Sequence, residues 1–290
     1  TKIDYKNIEN YRPIALWTIF SKLLEKKLCM KDWIVIFIPK KHIDPSPISF
    51  SKEYFYWHGC ILNLINIIAH ALDEGKYCLG ILLDLSKAFD TIDHHILLTK
   101  LECYGVRGVA LDWFKSYLFN RTQYVVVDGV KSQSAGIKYG VPQGSVLGPL
   151  LFLVYINDII NSSNYFSYSL FADDTSLLAS HKNIYTLVSS ANDEINKLYN
   201  WFCCNKLSLN IKKTNFVIFR SRGKRIPNNI NPLIVGGHQV TRSDNVLFLG
   251  ITMNEHLSWK PHISNVCSKL SRSVGVMSKL KFIVPQHILS

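Results

Sequence analysis

The chain has 290 residues, 48% of them hydrophobic and 19% charged. That balance excludes disorder as the dominant state and supplies apolar surface for a sizeable core in about two or three subdomains. Lysine plus arginine number 33 against 21 acids, a formal net charge of +12, which suits a polyanionic partner without selecting one. The seven cysteines are odd in number and form no CxxC pair, so a disulfide scaffold or zinc ribbon fits poorly and a reducing compartment fits well. The opening TKIDYKNIEN is not a signal peptide, and the longest apolar stretch, LGPLLFLVYI (Leu147 to Ile156), falls short of the ~20 residues of a membrane span. These features predict an intracellular protein, nuclear or cytoplasmic, with no membrane partner. A first residue of Thr rather than Met leads us to expect a piece of a longer chain.

Residues 13–30 show helical periodicity, with Ile19, Leu23, Leu24 and Leu28 on one face and Lys22, Glu25 and Lys26 on another. Residues 31–59 hold Pro39, Pro45 and Pro47 and define no element. Helical spacing returns at 60–74 through Ile61, Leu64, Ile65, Ile68 and Leu72. Tyr77 to Leu85 is a near-continuous apolar run, the pattern of a fully buried strand, with Asp84 at its C-terminal end. Helices are expected at 92–104 and 108–120. Gln123 to Val127 then alternates into Asp128-Gly129, a two-residue hairpin signal. The Gly/Pro-rich loop GVPQGSVLGP (140–149) opens an apolar helix ending near Asn157-Asp158. Residues 165–180 read as strand, acidic turn, strand, and Ile184 to Phe202 as an amphipathic helix. A strand at 215–220, the basic loop 221–225, a short strand at 245–252 and a basic-faced helix over 263–280 complete the chain. Helices mixed with short strands in hairpins predict an α+β fold.

Asp84 ends a buried strand, and Asp173-Asp174 sit at a hairpin tip between apolar flanks. Strand ends far apart in sequence can be neighbours in one sheet, and carboxylates gathered there raise one another's pKa unless a cation joins them. Mg²⁺ suits such a site, because it takes carboxylate oxygens and keeps positions for water and phosphate. Alone, Asp173-Asp174 reads equally as a solvated turn. Asp90 and Asp93 read as helix N-caps, and His94 and His95 as structural residues.

Together these residues resemble the reverse transcriptase domain of non-LTR retrotransposons of the jockey-like or LINE-like group. LLDLSKAFDTIDH (82–94) resembles the first catalytic motif of that family, and GVPQGSVLGPLLFLVYINDI (140–159) its nucleotide-pocket motif. FADD (171–174) resembles the metal-binding hairpin. LSLNIKKTNFVIF (207–219) resembles the lysine-bearing motif, FLGI (248–251) the primer grip, and NYRPIAL (10–16) the opening block. The resemblance implies a right-hand polymerase: fingers over 1–78, palm over 79–93, a fingers/palm insertion over 94–139, palm again over 140–252 and the start of a thumb over 253–290.

The implied activity is RNA-directed DNA synthesis by two-metal nucleotidyl transfer from a dNTP to a primer 3′-hydroxyl. By the same resemblance, Asp84, Asp173 and Asp174 would form the catalytic and metal-binding set, for two Mg²⁺ ions or alternatively Mn²⁺. Leu85, Ser86, Lys87, Ala88 and Phe89 would face the incoming nucleotide, with Phe89 excluding a 2′-hydroxyl. Gln143 and Gly144 would line the nucleotide pocket, Lys213 would lie near the triphosphate, and Phe248, Leu249 and Gly250 would form the primer grip. RNA template, DNA primer and dNTPs are the implied partners. The parent polyprotein would be longer and carry an endonuclease absent from these residues.

One stretch departs from the family. A segment similar to QFGFRKGRST, whose arginine reaches the triphosphate, is expected within 31–59, and this stretch holds no arginine. Compensating frameshifts in a decaying element would leave that pattern, as would divergence with a lysine such as Lys40, Lys41 or Lys52 in the arginine's place. The alternative to an active polymerase is therefore a decayed copy that binds RNA or an RNA–DNA hybrid without extending a primer. A two-carboxylate sugar hydrolase fits less well, because the Gly/Pro-rich loop suits a nucleotide.

Overall fold

The computed structural model describes residues 19–30 and 57–280. The opening block 10–16 and most of the atypical 31–59 stretch lie outside the described residues.

The apolar run Tyr77–Leu83 forms β1, the middle strand of a five-stranded sheet. Its neighbours are β7 (Asp174–His181) on one side and β8 (Asn215–Phe219) on the other, both antiparallel. Strand β6 (Ser167–Phe171) pairs with β7, and β11 (Thr241–Arg242) runs parallel to β8, giving the order β11-β8-β1-β7-β6. Side chains alternate across a strand. Leu79, Ile81 and Leu83 therefore enter one core, while Cys78 and Leu82 join another on the opposite face.

The larger core lies under four helices: α3 (His94–Cys103), α4 (Val109–Leu118), α5 (Leu147–Ile156) and α6 (Ile184–Cys204). The stripe Ile184, Leu187, Val188, Ala191, Ile195, Leu198 and Phe202 is buried, as its spacing predicts. Helix α5 is apolar on nearly every side and is buried among its neighbours. Before these helices in the chain come α1 (Ile19–Met30), which packs near α5, and α2 (Trp57–Asp73).

Helix α2 covers the other sheet face with Ile61, Leu64, Ile68 and Ala71. The segment 245–252, expected as one strand, is a hairpin instead: β12 (Asn245–Phe248) and β13 (Ile251–Asn254). Leu249 and Gly250 both have positive φ and make its two-residue turn, a signal the apolar run VLFLGI conceals.

The Asp128-Gly129 hairpin forms as read, with β3 (Val126–Val127) paired to β4 (Val130–Lys131) and both turn residues at positive φ. It extends from an outer pair, β2 (Thr122–Gln123) and β5 (Ala135–Gly136). A small pair, β9 (Ile234–Val235) with β10 (His238–Gln239), has no counterpart among the expected elements. The last helix, α7 (Lys260–Leu280), leaves Ile263, Leu270, Val274 and Met277 exposed. Among the described residues no helix is long and apolar enough to cross a membrane.

Candidate active site

Register places the acids. Leu83, the last residue of β1, pairs with Thr175, so Asp84 follows opposite the start of β7 at Asp174. On the other side of β7, Phe171 pairs with Asp174, leaving Ala172-Asp173 as a two-residue turn. Ala172 adopts φ +51°, an uncommon value for a residue with a Cβ. Two strand ends thus present Asp84, Asp173 and Asp174 at one edge of the sheet.

The Asp174 carboxyl is pushed above its ordinary value, first by burial and then by the charges of Asp173 and Asp84. Asp174 nevertheless lies exposed at the start of β7, so the desolvation is partial and solvent screens the effect. Among the described residues, no Lys, Arg or His forms an ion pair with any of the three acids. Nor do three or more His, Cys, Asp or Glu side chains among them converge closely enough to enclose a metal ion on their own.

The main chain of Asp84 is held from both sides. Its N–H donates to Thr214 Oγ1 at 3.3 Å, and its carbonyl accepts from the Asn210 N–H at 2.8 Å. Leu85 bridges to Leu209, and the Ser86 N–H donates to the Ser208 carbonyl at 2.8 Å. Lys213 lies in the exposed turn between Asn210 and Thr214. The lysine-bearing segment and the first acidic motif are therefore physically joined at Asp84. Thr214 is not among the residues the sequence singles out, although a hydroxyl beside a lysine turn is the available signal.

After Asp84 the chain makes a compact turn over 86–90, with Lys87 at φ +50°. Phe89 sits in this turn, half-buried. Its ring packs on Phe152 of α5 with centroids 4.9 Å apart. Its carbonyl accepts from the Val141 N–H at 2.8 Å, and the Ile92 carbonyl accepts from the Gly140 N–H at 2.7 Å. Gly140 has φ +86°, and a Cβ there would lie 2.8 Å from Asp90 Cα, so only glycine fits this approach. Gln143 Nε2 donates to Asp90 Oδ1 at 2.8 Å, which makes Asp90 a loop anchor instead of the expected N-cap. The PQGS loop, with Gln143 half-buried and Gly144 exposed, is in this way docked onto the turn carrying Phe89.

Asp93 is the N-cap, accepting from the N–H groups of His95 and Ile96 at 2.9 and 3.1 Å. Lys206 Nζ reaches its other oxygen at 2.6 Å. Burial alone would push the Asp93 carboxyl up, but Lys206 and the two amides outweigh it and hold it below its ordinary value. His94 is structural, as expected: it is buried, with Nε2 2.8 Å from the Gly140 carbonyl, so it supports the same loop. The segment 248–250 stands apart from this group. Phe248 is buried in the core beneath the sheet, and Leu249 and Gly250 form the turn of β12–β13.

A central antiparallel sheet with acids at two neighbouring strand ends and helices on both faces is the architecture of a right-hand polymerase. Its solved likeness includes telomerase from Candida tropicalis in complex with a fragment of telomeric RNA. That match has a TM-score of 0.53 at 13% identity, covering 81% of this chain and 37% of the other. The family model for reverse transcriptase (RNA-dependent DNA polymerase) matches residues 3–253, and the chain belongs to this family. Similar proteins include the RNA-directed DNA polymerase from mobile element jockey of Drosophila melanogaster, 28% identical over 98% of this chain and 31% of that protein. The probable RNA-directed DNA polymerase from transposon X-element of the same species is 25% identical over 92% of this chain and 29% of its own length. The chain thus spans about a third of the length of these relatives.

Proposed function

We propose that this chain carries out RNA-templated DNA synthesis for a non-LTR retrotransposon, acting on an RNA template, a DNA primer and dNTPs inside the cell, in nucleus or cytoplasm. The observation that carries this reading is the set of three acids at one sheet edge with no cationic partner among the described residues and with Asp174 pushed up by its neighbours. Excess negative charge of this kind fits divalent cations. Mg²⁺ usually takes one or two carboxylates and completes its shell with water and substrate phosphates, so a full protein cage is not required. Asp84 and Asp173 would hold the ions, with Asp174 in support; bound there, they would offset charge on the attacking and leaving oxygens.

The remaining roles follow the family resemblance. The primer 3′-hydroxyl attacks the α-phosphorus of the dNTP, a new P–O bond forms, and pyrophosphate leaves. The turn from Leu85 through Ser86, Lys87 and Ala88 to Phe89 faces the triphosphate and sugar. The Phe89 ring, braced by Phe152, blocks a 2′-hydroxyl. Gln143, oriented by Asp90, and the bare backbone at Gly144 line the pocket. Lys213, on the turn bonded to Asp84, contributes positive charge toward the leaving phosphates. The Leu249-Gly250 turn of the β12–β13 hairpin, with Phe248 buried behind it, supports the primer end. In this reading 79–93 and 140–252 are palm, 1–78 and parts of 94–139 fingers, and 253–290 the start of a thumb.

A second reading, nucleic-acid binding without synthesis, is favoured by the lack of arginine over 31–59. Lysine is a poorer fork for phosphate than arginine. Extension of a DNA primer on an RNA template, run beside a binding assay with the same duplex, separates the two. Mg²⁺-dependent product supports the first reading; tight binding without product supports the second.

A further inference from the structure

Glu25 is a buried carboxylate that the roles above leave unused. It lies on α1, and only 2% of it is exposed, while Lys22, Leu23 and Lys26 around it face solvent. A carboxylate withdrawn from water must find donors. Glu25 Oε2 accepts from the N–H groups of Val146 and Leu147 at 2.6 and 3.3 Å, and Oε1 accepts from the Tyr117 hydroxyl at 3.2 Å. Burial pushes the Tyr117 hydroxyl up to about 12, with a Ser145 hydrogen bond working against the shift and the Glu25 charge adding to it. Tyr117 is therefore a donor at neutral pH.

The two amides belong to the start of α5. Val146 precedes that helix and cannot cap it; Ser145 Oγ accepts from the Gly148 N–H at 2.9 Å, the first turn of α5 contains no acid, and the Val146 and Leu147 N–H groups are left to Glu25. The first N–H groups of a helix need an acceptor, and a negative charge there also complements the helix dipole. Glu25 supplies both from a distant part of the chain. The loop leading to Val146 is the one that holds Gln143. Its Gly140 end is fixed by Phe89, Ile92 and His94, and its Val146 end by Glu25.

We propose that Glu25 is a positioning residue for nucleotide binding: it clamps the α5 end of the 140–146 loop and so fixes Gln143 against the turn that carries Phe89. This inference rests on the reading of that loop as the nucleotide pocket. Glu25→Gln keeps the size of the side chain but removes its charge and turns one acceptor into a donor.

The test combines hydrogen exchange with kinetics on the full chain. In Glu25→Gln, amide exchange over 140–150 rises about tenfold, the scale of one lost charge-assisted hydrogen bond, while exchange over 77–83 and 174–181 is unchanged. Lys26→Gln, an exposed change on the same helix, leaves all three segments as they were. In extension assays KM for dNTP rises about tenfold with kcat altered far less, and the increase shrinks when Gln143→Ala is already present. Unchanged exchange over 140–150, or equal acceleration through β1 and β7, overturns the proposal. A KM increase that persists undiminished beside Gln143→Ala also overturns it. Absence of extension by the parent chain counts against the polymerase reading alone, since exchange reports the clamp without turnover.

Discussion

Asp93 and Asp174 differ in what surrounds them, and their carboxyls move in opposite directions. Asp93 has two backbone amides and Lys206, and its carboxyl is held low. Asp174, exposed at the strand end, has partial desolvation and two like charges, and its carboxyl is pushed up. The first is an acid whose surroundings are complete within the fold. The second belongs to a group that needs positive charge from elsewhere. An acid paired within the fold fits a structural role and unpaired gathered acids fit the proposed cation site, a contrast that substitutions can break or sharpen.

The largest expected effect is on chemistry. Asp84→Ala or Asp173→Ala abolishes primer extension while circular dichroism and melting stay close to the parent, because each removes charge from an open sheet edge. Next comes sugar selection. Phe89→Val opens space beside the sugar and weakens discrimination against rNTPs by roughly tenfold or more, read as the ratio of kcat/KM for dNTP and rNTP. Unaltered discrimination in an active variant removes the steric role of Phe89.

Asp93→Ala gives the converse pattern. Loss of the N-cap costs about 0.5–2 kcal/mol of stability, measured by urea unfolding at neutral pH, and activity falls only with the folded fraction. A carboxyl held low stabilises the fold above its unfolded pKa, and that contribution is lost as pH falls through the folded value. The gap between Asp93→Ala and parent therefore closes in acid.

The smallest effect is at Asp174. A carboxyl held high destabilises the fold once it ionises, so its penalty appears as pH rises through the folded pKa and is absent below the unfolded one. Asp174→Asn gains a few tenths of a kcal/mol at neutral pH, within the usual surface range of about ±0.5 kcal/mol, and gains nothing in acid. A variant that melts higher yet extends primers poorly sharpens the contrast with Asp93.

Much of this is legible in the amino-acid sequence alone. The run Tyr77 to Leu85 announces a buried strand because its two faces meet two cores, and the stripe from Ile184 to Phe202 announces a helix. Motif order singles out Asp84, Asp173, Phe89, Gln143 and Lys213, which the fold brings to the end of β1 and the turn that follows it. Contacts between distant segments are what a linear pattern hides. Nothing near Glu25 points to Val146, and nothing near Asp84 singles out Thr214 as the acceptor of its N–H. Asp90 reads as a cap because it stands just before a helix, but the placement of the PQGS loop pairs it with Gln143 instead. The 245–252 hairpin is hidden because its turn, Leu249-Gly250, interrupts an apolar run with a residue that seldom adopts positive φ.

The central claim is that the three strand-end acids form a divalent-cation site. Melting with and without Mg²⁺ tests it most directly, since a ligand that binds only the folded chain raises its stability. The account predicts that Mg²⁺ raises the Tm of the parent and of Asp93→Ala by similar amounts, and that Asp84→Ala and Asp173→Ala lose most of that rise. An equal rise in all four proteins, or none in the parent, would contradict it.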